Sequence, residues 1–411
     1  MAAEVAVAET GADSLPLAGV RVLEFCHTIM GPSAGVLLAD LGADVIKIEA
    51  APDGDTTRRM RGFGTGFFYA FNRNKRSLAV DLKSDQGRGL VHKLAENADV
   101  VLENFGPGTM DRLGCGYDDL SAVNPRMIFC ALKGFLSGPY EHRLALDEVV
   151  QYMGGLAYMT GPPGTPLRAG ASVIDIMGGM FAVIGVQAAL RERETTGRGQ
   201  FVKSALFEAT TFLMTQHMAG EAITGKPAPP MASRGARAGI WAIYEAFETS
   251  DGEKIFIGLT SDKQWRAFWE HFERPDIIEN PRFATNADRV ENRPEFRDVV
   301  VECVKNLTLS EMTELADRMN IPFAPVAKPG DLFDDPQLNA HGRMLDIEFP
   351  NGVTKPVPPM PIEMGEHRFG LRRQAPKVGE HTREILSEMG LDGAAIDDLQ
   401  SQGIIVWPKE D

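Results

Sequence analysis

Residues 56–80 hold six cations, Arg58, Arg59, Arg61, Arg73, Lys75 and Arg76, and not one acidic residue, although the chain as a whole carries 42 basic and 57 acidic residues and a net charge of −15. Five aromatic residues, Phe63, Phe67, Phe68, Tyr69 and Phe71, are interleaved with them. Guanidinium and ammonium groups pair with phosphate, and aromatic faces stack on a nucleobase. The segment therefore reads either as a site for one small polyanion or as a solvated basic surface. Lys133, followed by Gly134 at the end of a predicted strand, favours the first reading, because α/β sheets place ligands outside the carboxyl ends of their strands. A second candidate is Asp175, the one acid in the apolar run 172–190. An acid at the start of a helix is commonly its N-cap. The alternative is a carboxylate kept ionised by the helix N-terminus and shielded from water by its neighbours, the conditions a carboxylate nucleophile needs.

Other chemistries lack support. The eight histidines (27, 92, 142, 217, 271, 341, 367 and 381) show no H-E-x-x-H or comparable spacing, so no metal site is expected. Neither G-x-S-x-G nor a Walker loop occurs. Cys26, Cys115, Cys130 and Cys303 are scattered without C-x-x-C spacing, which argues against a disulfide framework or zinc site and suits a reducing cytoplasm. The acidic balance gives no electrostatic case for nucleic acid or an anionic membrane as partner. The apolar run 172–190 approaches membrane-spanning length, but Asp175 and the Gly178-Gly179 pair point to a buried core helix.

The elements that must position these residues form an α/β fold. Strands are predicted over 20–25, 44–48, 77–82, 99–103 and 127–133, with a helix over 33–41 after Gly31-Pro32. The architecture expected is a Rossmann-like large domain with a smaller α+β domain. The first turn, CHTIMGPSAG, lacks G-x-G-x-x-G, so a nicotinamide or flavin cofactor is not expected. Residues 191–200 read as a charged turn, 206–223 as a helix, and 226–238 as a linker or mobile loop. A hairpin over 241–259 turns at Ser250-Asp251-Gly252. Trp265, Phe268, Trp269 and Phe272 mark the core face of a helix, and Thr308 with Glu311 forms a capping box. Residues 1–14 read as a flexible tail, 15–224 plus 331–411 as the large domain, and 225–330 as the small domain with its linkers.

Taken in order, the segments LAGVRVLEF…GP…LADLGADVIKIE (17–49), DGDTTR (53–58), NRNKRSLAVDLKSDQG (72–87), DVVLENFGPGTMDRLG (99–114), NPRMIFCALKGF (124–135), GLAYMTGPPGTPLRAG (155–170), DIMGGMFAVIGVQAALRERETTGRGQ (175–200) and GEHTREIL (379–386) resemble the family III coenzyme A transferases. That family also includes carnitine CoA-transferases and α-methylacyl-CoA racemases. The resemblance implies an acyl-CoA donor and a carboxylic acid acceptor as substrates, with no permanently bound cofactor. It implies that Asp175 is the nucleophile, carrying CoA as an aspartyl thioester. Asn74, Lys75, Arg76, Asn104, Phe105, Arg112 and Lys133, with Arg58 beside them, are implied as CoA contacts. It also implies an interlocked dimer of ring-like subunits, from one chain or with a related subunit. Two departures matter. Formyl-CoA transferases carry a glutamine where this chain has Ile29, and a glycine run where it has only Gly235 and Gly239 among arginines, which argues against oxalate as acceptor. Racemases carry a histidine where this chain has Leu146, before Asp147, and without it a two-base proton exchange lacks a base. A racemase-type enzyme and an inactive CoA-binding subunit stand as the alternatives. Arg234 and Arg237, in the loop implied to lie near the acyl pocket, suggest an acceptor with a second carboxylate and succinyl-CoA as a natural donor.

Overall fold

The computed structural model describes residues 15–231 and 240–408. The chain divides into two compact units, one running to Ala157 and resuming over Arg168–Lys226 and from Pro336, the other made of Tyr158–Leu167 and Pro227–Asp335. The first unit opens with β1 (Arg21–Phe25), α1 (Met30–Asp40), β2 (Asp44–Ala50), β3 (Arg76–Val80), α2 (Asp85–Ala95), β4 (Val100–Glu103) and β5 (Ile128–Lys133). It continues through α3 (Asp147–Met153), α4 (Val173–Thr196), β6 (Phe201–Ala205) and α5 (Leu206–Thr224). Strands β1 to β5 are buried almost throughout, as parallel strands covered on both faces must be. Their side chains alternate between two cores. Leu23, Ile46, Leu78, Val101 and Phe129 face α2, while Val22, Val45, Val100, Ile128 and Cys130 face α1, α4 and α5.

Helix α1 starts three residues before the predicted one, with Pro32 inside its first turn, where a missing N–H costs no bond. It packs closely on α4. A Cβ at Gly179 would lie 2.1 Å from Ser33 Oγ and 2.8 Å from Met30 O, and one at Gly178 would lie 2.6 Å from Met30 Cε. The Gly178-Gly179 pair is thus the contact that lets the two backbones approach. Among the described residues, α4 alone is long and apolar enough to cross a membrane by length and composition. The expectation of a buried core helix holds for one face only, because Met180 and Ile184 are exposed. Residues 191–196, read as a turn, prolong α4, which ends where Gly197 takes a left-handed φ of +71°.

The second unit contains β7 (Ile243–Glu248), β8 (Lys254–Leu259), α6 (Asp262–His271), α7 (Pro294–Lys305), α8 (Leu309–Arg318) and β9 (Phe323–Pro325). Its strands form an antiparallel sheet in the order β7-β8-β9. Trp265, Phe268 and Trp269 of α6 pack with Phe296, Val300, Met312 and Leu315 in its core. Thr308 and Glu311 close the capping box at the start of α8.

The chain then returns to the first unit through the hairpin β10 (Leu345–Glu348) and β11 (Thr354–Val357), α9 (Thr382–Glu388), α10 (Gly393–Ser401) and β12 (Ile405–Val406). The central sheet has the order β12-β3-β2-β1-β4-β5-β6 and is parallel except for β12. The two strands without a sequence prediction lie at its edges. β12 is two residues long, and β6 exposes Phe201 and half-buries Val202 and Lys203, so neither has the apolar run of a covered strand.

Candidate active site

Helix α4 is not capped by its own chain. Ser172, at its N-cap, makes no side-chain cap bond. Asp147, the first residue of α3, does the work instead: its Oδ2 accepts from the backbone N–H groups of Ile174 at 2.8 Å and Asp175 at 3.0 Å. The other oxygen accepts from Gln151 Nε2, one turn along α3, and Gln151 Oε1 accepts from Ala169 N at 2.9 Å. Asp175 is therefore the third residue of α4 and not its cap, so the capping reading is overturned and its carboxylate is left for other use. It precedes Gly178 by one turn and shares the helix face that packs on Met30.

The environment also moves the Asp175 pKa in the direction opposite to that expected. Burial, and after it the neighbouring Asp147 carboxylate, raise the pKa of Asp175 from 3.8 to about 7, against a smaller opposing pull from Arg168. The helix N–H groups expected to hold Asp175 ionised are directed at Asp147. Arg168 is fixed on two sides: Nε donates to Ala169 O at 2.9 Å, and Nη1 pairs with Glu148 Oε1 at 2.6 Å. Its guanidinium carbon lies 5.2 Å from the Phe63 ring centroid. Nη2 is buried and has no hydrogen-bond partner among the described residues.

At the carboxyl ends of β1 and β4, Asn104 clasps two loops together, accepting from His27 N at 3.0 Å and donating to His27 O at 2.8 Å. Phe105, half-buried, stacks on the His27 ring at 5.7 Å. Ile29 is buried beside this clasp at the start of α1. Arg112 is exposed and bonds only Thr109 Oγ1, at 2.8 Å, among the described residues. Lys133 pairs with Glu103 at 2.6 Å and donates to Phe105 O at 2.8 Å. It lines a cavity of about 520 Å³ with Glu103, Tyr117, Phe129, Phe201 and Lys203.

The basic segment is a different matter, because its acids come from elsewhere in the chain. Arg58 spends every guanidinium nitrogen on Glu49 and on Pro376 O, and stacks 3.7 Å from the Phe68 ring. Asn74, at a left-handed φ of +62°, donates to Asp40 and accepts from the backbone N–H groups of Arg372 and Arg373. Lys75 is fully buried against Glu24 at 2.6 Å, and Arg76 is enclosed by Asp44, Glu384 and Glu388. The reading as a solvated surface is thereby overturned for Arg58, Lys75 and Arg76, whereas Arg59 and Arg61 are exposed. The polyanion reading is also left without donors at Arg58, Asn74, Lys75 and Arg76, whose polar groups already hold the sheet and the returning tail. Arg234, Gly235, Arg237 and Gly239 lie outside the described residues.

Gln151 and Arg168 carry no sequence signal of their own, and Asp147 enters the sequence reading only as the aspartate after Leu146. Asp147 acts on a helix 26 residues later, and Arg168 follows a turn-rich stretch, GPPGTP, that gives no hint of its surroundings.

A profile of CoA-transferase family III matches residues 17–382. A succinate–glutarate CoA-transferase of Agrobacterium fabrum is 33% identical over 386 residues, covering 91% of this chain and 96% of its own. A succinyl-CoA:glutarate CoA-transferase of Mus musculus is 32% identical, covering 97% and 92%. The crystal structure of a CAIB/BAIF family protein from Brucella suis superposes with a TM-score of 0.81 at 34% identity, covering 91% of this chain and 99% of that one.

Proposed function

The chain belongs to CoA-transferase family III, and we propose that it moves CoA from succinyl-CoA to a second dicarboxylic acid through a thioester on Asp175. One observation carries the choice of nucleophile: a half-buried carboxylate that the helix around it does not use, with its pKa raised to about 7. Such a group is a better nucleophile than an ordinary solvated carboxylate and is still largely ionised slightly above neutrality. The glutarate acceptors in the names of the two relatives support a dicarboxylate.

In this reading the Asp175 carboxylate attacks the donor thioester carbonyl. The C–S bond breaks, and CoA leaves as a thiolate from a mixed anhydride. The thiolate then attacks Cγ of Asp175, releasing succinate and leaving an aspartyl-CoA thioester. The acceptor carboxylate attacks that Cγ and expels the thiolate, which finally attacks the acceptor carbonyl, giving the new acyl-CoA and restoring the Asp175 carboxylate. No water enters any step, so hydrolysis is the side reaction the site must suppress. Asp147 positions Asp175 by holding the first turn of α4. For CoA itself, the exposed Arg112 and the Asn104-Phe105 loop offer groups that the paired Arg58, Lys75 and Arg76 do not. The exposed apolar residues Met180 and Ile184 of α4 and Phe212 of α5 support a second copy of the chain covering that face.

Incubation with succinyl-CoA followed by borohydride tests the nucleophile. We expect reduction to map to Asp175 by peptide mass. Full turnover with Asp175 unmodified would overturn the covalent route.

A further inference from the structure

Arg168 has one buried guanidinium nitrogen, Nη2, with no partner among the described residues, in a side chain whose other nitrogens are tied to Ala169 O and Glu148. A buried polar group of this kind calls for an explanation, because buried donors are mostly bonded; Trp265 Nε1, Trp269 Nε1 and Arg372 Nη1 share the property, but only Arg168 acts on Asp175. The guanidinium is close enough to Asp175 for its charge to act on that carboxylate. Its tethers fix the plane and leave the third corner to be met by something else. The exposed ring of Phe63 lies beside it, an apolar wall against which methylene groups can rest. A planar, permanently charged fork is the side chain best suited to bind a carboxylate.

We propose that Arg168 determines specificity, holding through Nη2 the second carboxylate of the dicarboxylic acid whose first carboxylate reacts at Asp175. This rests on the reading of Asp175 as the transfer centre. A site with a buried donor waiting for a substrate group rejects analogues that lack the group, because the donor then stays unmet.

The test compares glutarate with pentanoate as acceptors, in the wild type and in Arg168→Gln and Arg168→Lys. The assays run at pH 9, where Asp175 is ionised whether or not a cation stands beside it. The wild type should prefer glutarate. In Arg168→Gln, kcat/KM for glutarate should fall about 10- to 100-fold, mainly through KM, while that for pentanoate changes by far less; Arg168→Lys should recover part of the loss. Added guanidinium ion should restore glutarate transfer in Arg168→Gln and leave pentanoate transfer alone. The proposal is overturned if both acids fall together, or if the ratio stays fixed. It also falls if the ratio moves only in Arg234→Ala or Arg237→Ala. A wild type without preference would sink it even if neither variant folds. Borohydride trapping from succinyl-CoA separates this from the underlying reading: a thioester on Asp175 with an unchanged acid ratio defeats Arg168 alone, whereas no thioester in the wild type defeats the transfer reading.

Discussion

Two clusters of buried charge in the first unit differ in how completely they are matched. Around β1 to β3, Lys47 pairs with Glu24 at 3.2 Å and Asp55 at 2.9 Å and donates to Cys26 O at 2.6 Å. Lys75 pairs with the other oxygen of Glu24 and donates to Asn72 Oδ1 and Pro32 O. At the start of α4, two carboxylates, Asp147 and Asp175, stand within electrostatic reach of each other, and the one nearby guanidinium keeps a nitrogen without a partner among the described residues. Charge held in pairs on every side serves the fold, even though burial still pulls Lys75 down to about 8, whereas charge left mismatched is poised for a substrate. Residue type locates both clusters; only the partners tell them apart.

The largest expected effect comes from the mismatched side. Asp175→Ala should cut turnover by at least about a thousandfold, since the proposed route has no other nucleophile, while CoA still binds in a calorimeter. Retained turnover would mean that transfer does not pass through this carboxylate. Next comes the matched side. Lys47→Met leaves Glu24 and Asp55 short of one cation in a buried site and should destabilise the protein by about 3–5 kcal/mol in denaturant unfolding, with KM for the acyl-CoA little changed in what remains folded. A tenfold rise in that KM in Lys75→Met, at normal stability, would break the comparison, because it would make Lys75 a phosphate ligand after all.

A smaller effect separates the two clusters by sign. Against the pull of burial, Glu24 and Asp55 hold Lys47 above the usual lysine range, so removing its charge should cost stability, whereas removing that of Asp175 should add stability. Its pKa is raised from 3.8 to about 7 in the folded chain, so the folded state favours the protonated form. The associated stability is complete below about 3.8 and is lost as pH rises through about 7. Asp175→Asn cannot ionise and escapes that loss. It should therefore unfold at a higher denaturant concentration than wild type at pH 9, by on the order of 2–4 kcal/mol, with the advantage shrinking as pH falls towards 5. An advantage independent of pH would show that the gain is not electrostatic.

The parallel sheet and the aromatic core of the second unit were legible because each rests on local periodicity, as in residues 20–25 or in Trp265, Phe268 and Trp269. The edges of the sheet were not, since β6 and β12 lack a covered strand's pattern. At the site, Asp175 could be picked out as one acid in an apolar run, but the direction of its pKa shift was read backwards. The reason is that the helix N–H groups are claimed by Asp147, a residue 28 positions away that no local pattern connects to it. The pairing of Arg58, Lys75 and Arg76 is hidden for the same reason: Glu49, Glu24, Asp44 and Glu384 meet them only in the fold. Sequence shows where charges are placed along the chain, whereas availability depends on contacts between distant segments.

The finest test concerns how Asp147 divides its influence. With the nucleophile titrating at about 7, kcat/KM should fall about tenfold per pH unit on the acid side and level off above neutrality. Burial is the larger cause of the raised pKa and Asp147 the second, so removing the Asp147 charge should move the acid limb only modestly. In Asp147→Asn the like charge is gone, and the N–H groups of Ile174 and Asp175 lose their anion, which leaves them more favourable to an ionised Asp175. Both changes act in the same direction, and the limb should shift to lower pH by less than about one unit. At pH 6 this variant would then keep a larger share of its plateau activity than the wild type keeps of its own, even if the plateau is lower because Gln151 Nε2 now faces an amide. Asp147→Glu keeps the charge and separates the two roles: it should disturb the plateau through altered geometry while leaving the limb near 7. A limb that stays in place in Asp147→Asn would assign the whole effect to burial, and Asp147 would then act on Asp175 only by holding the turn that carries it.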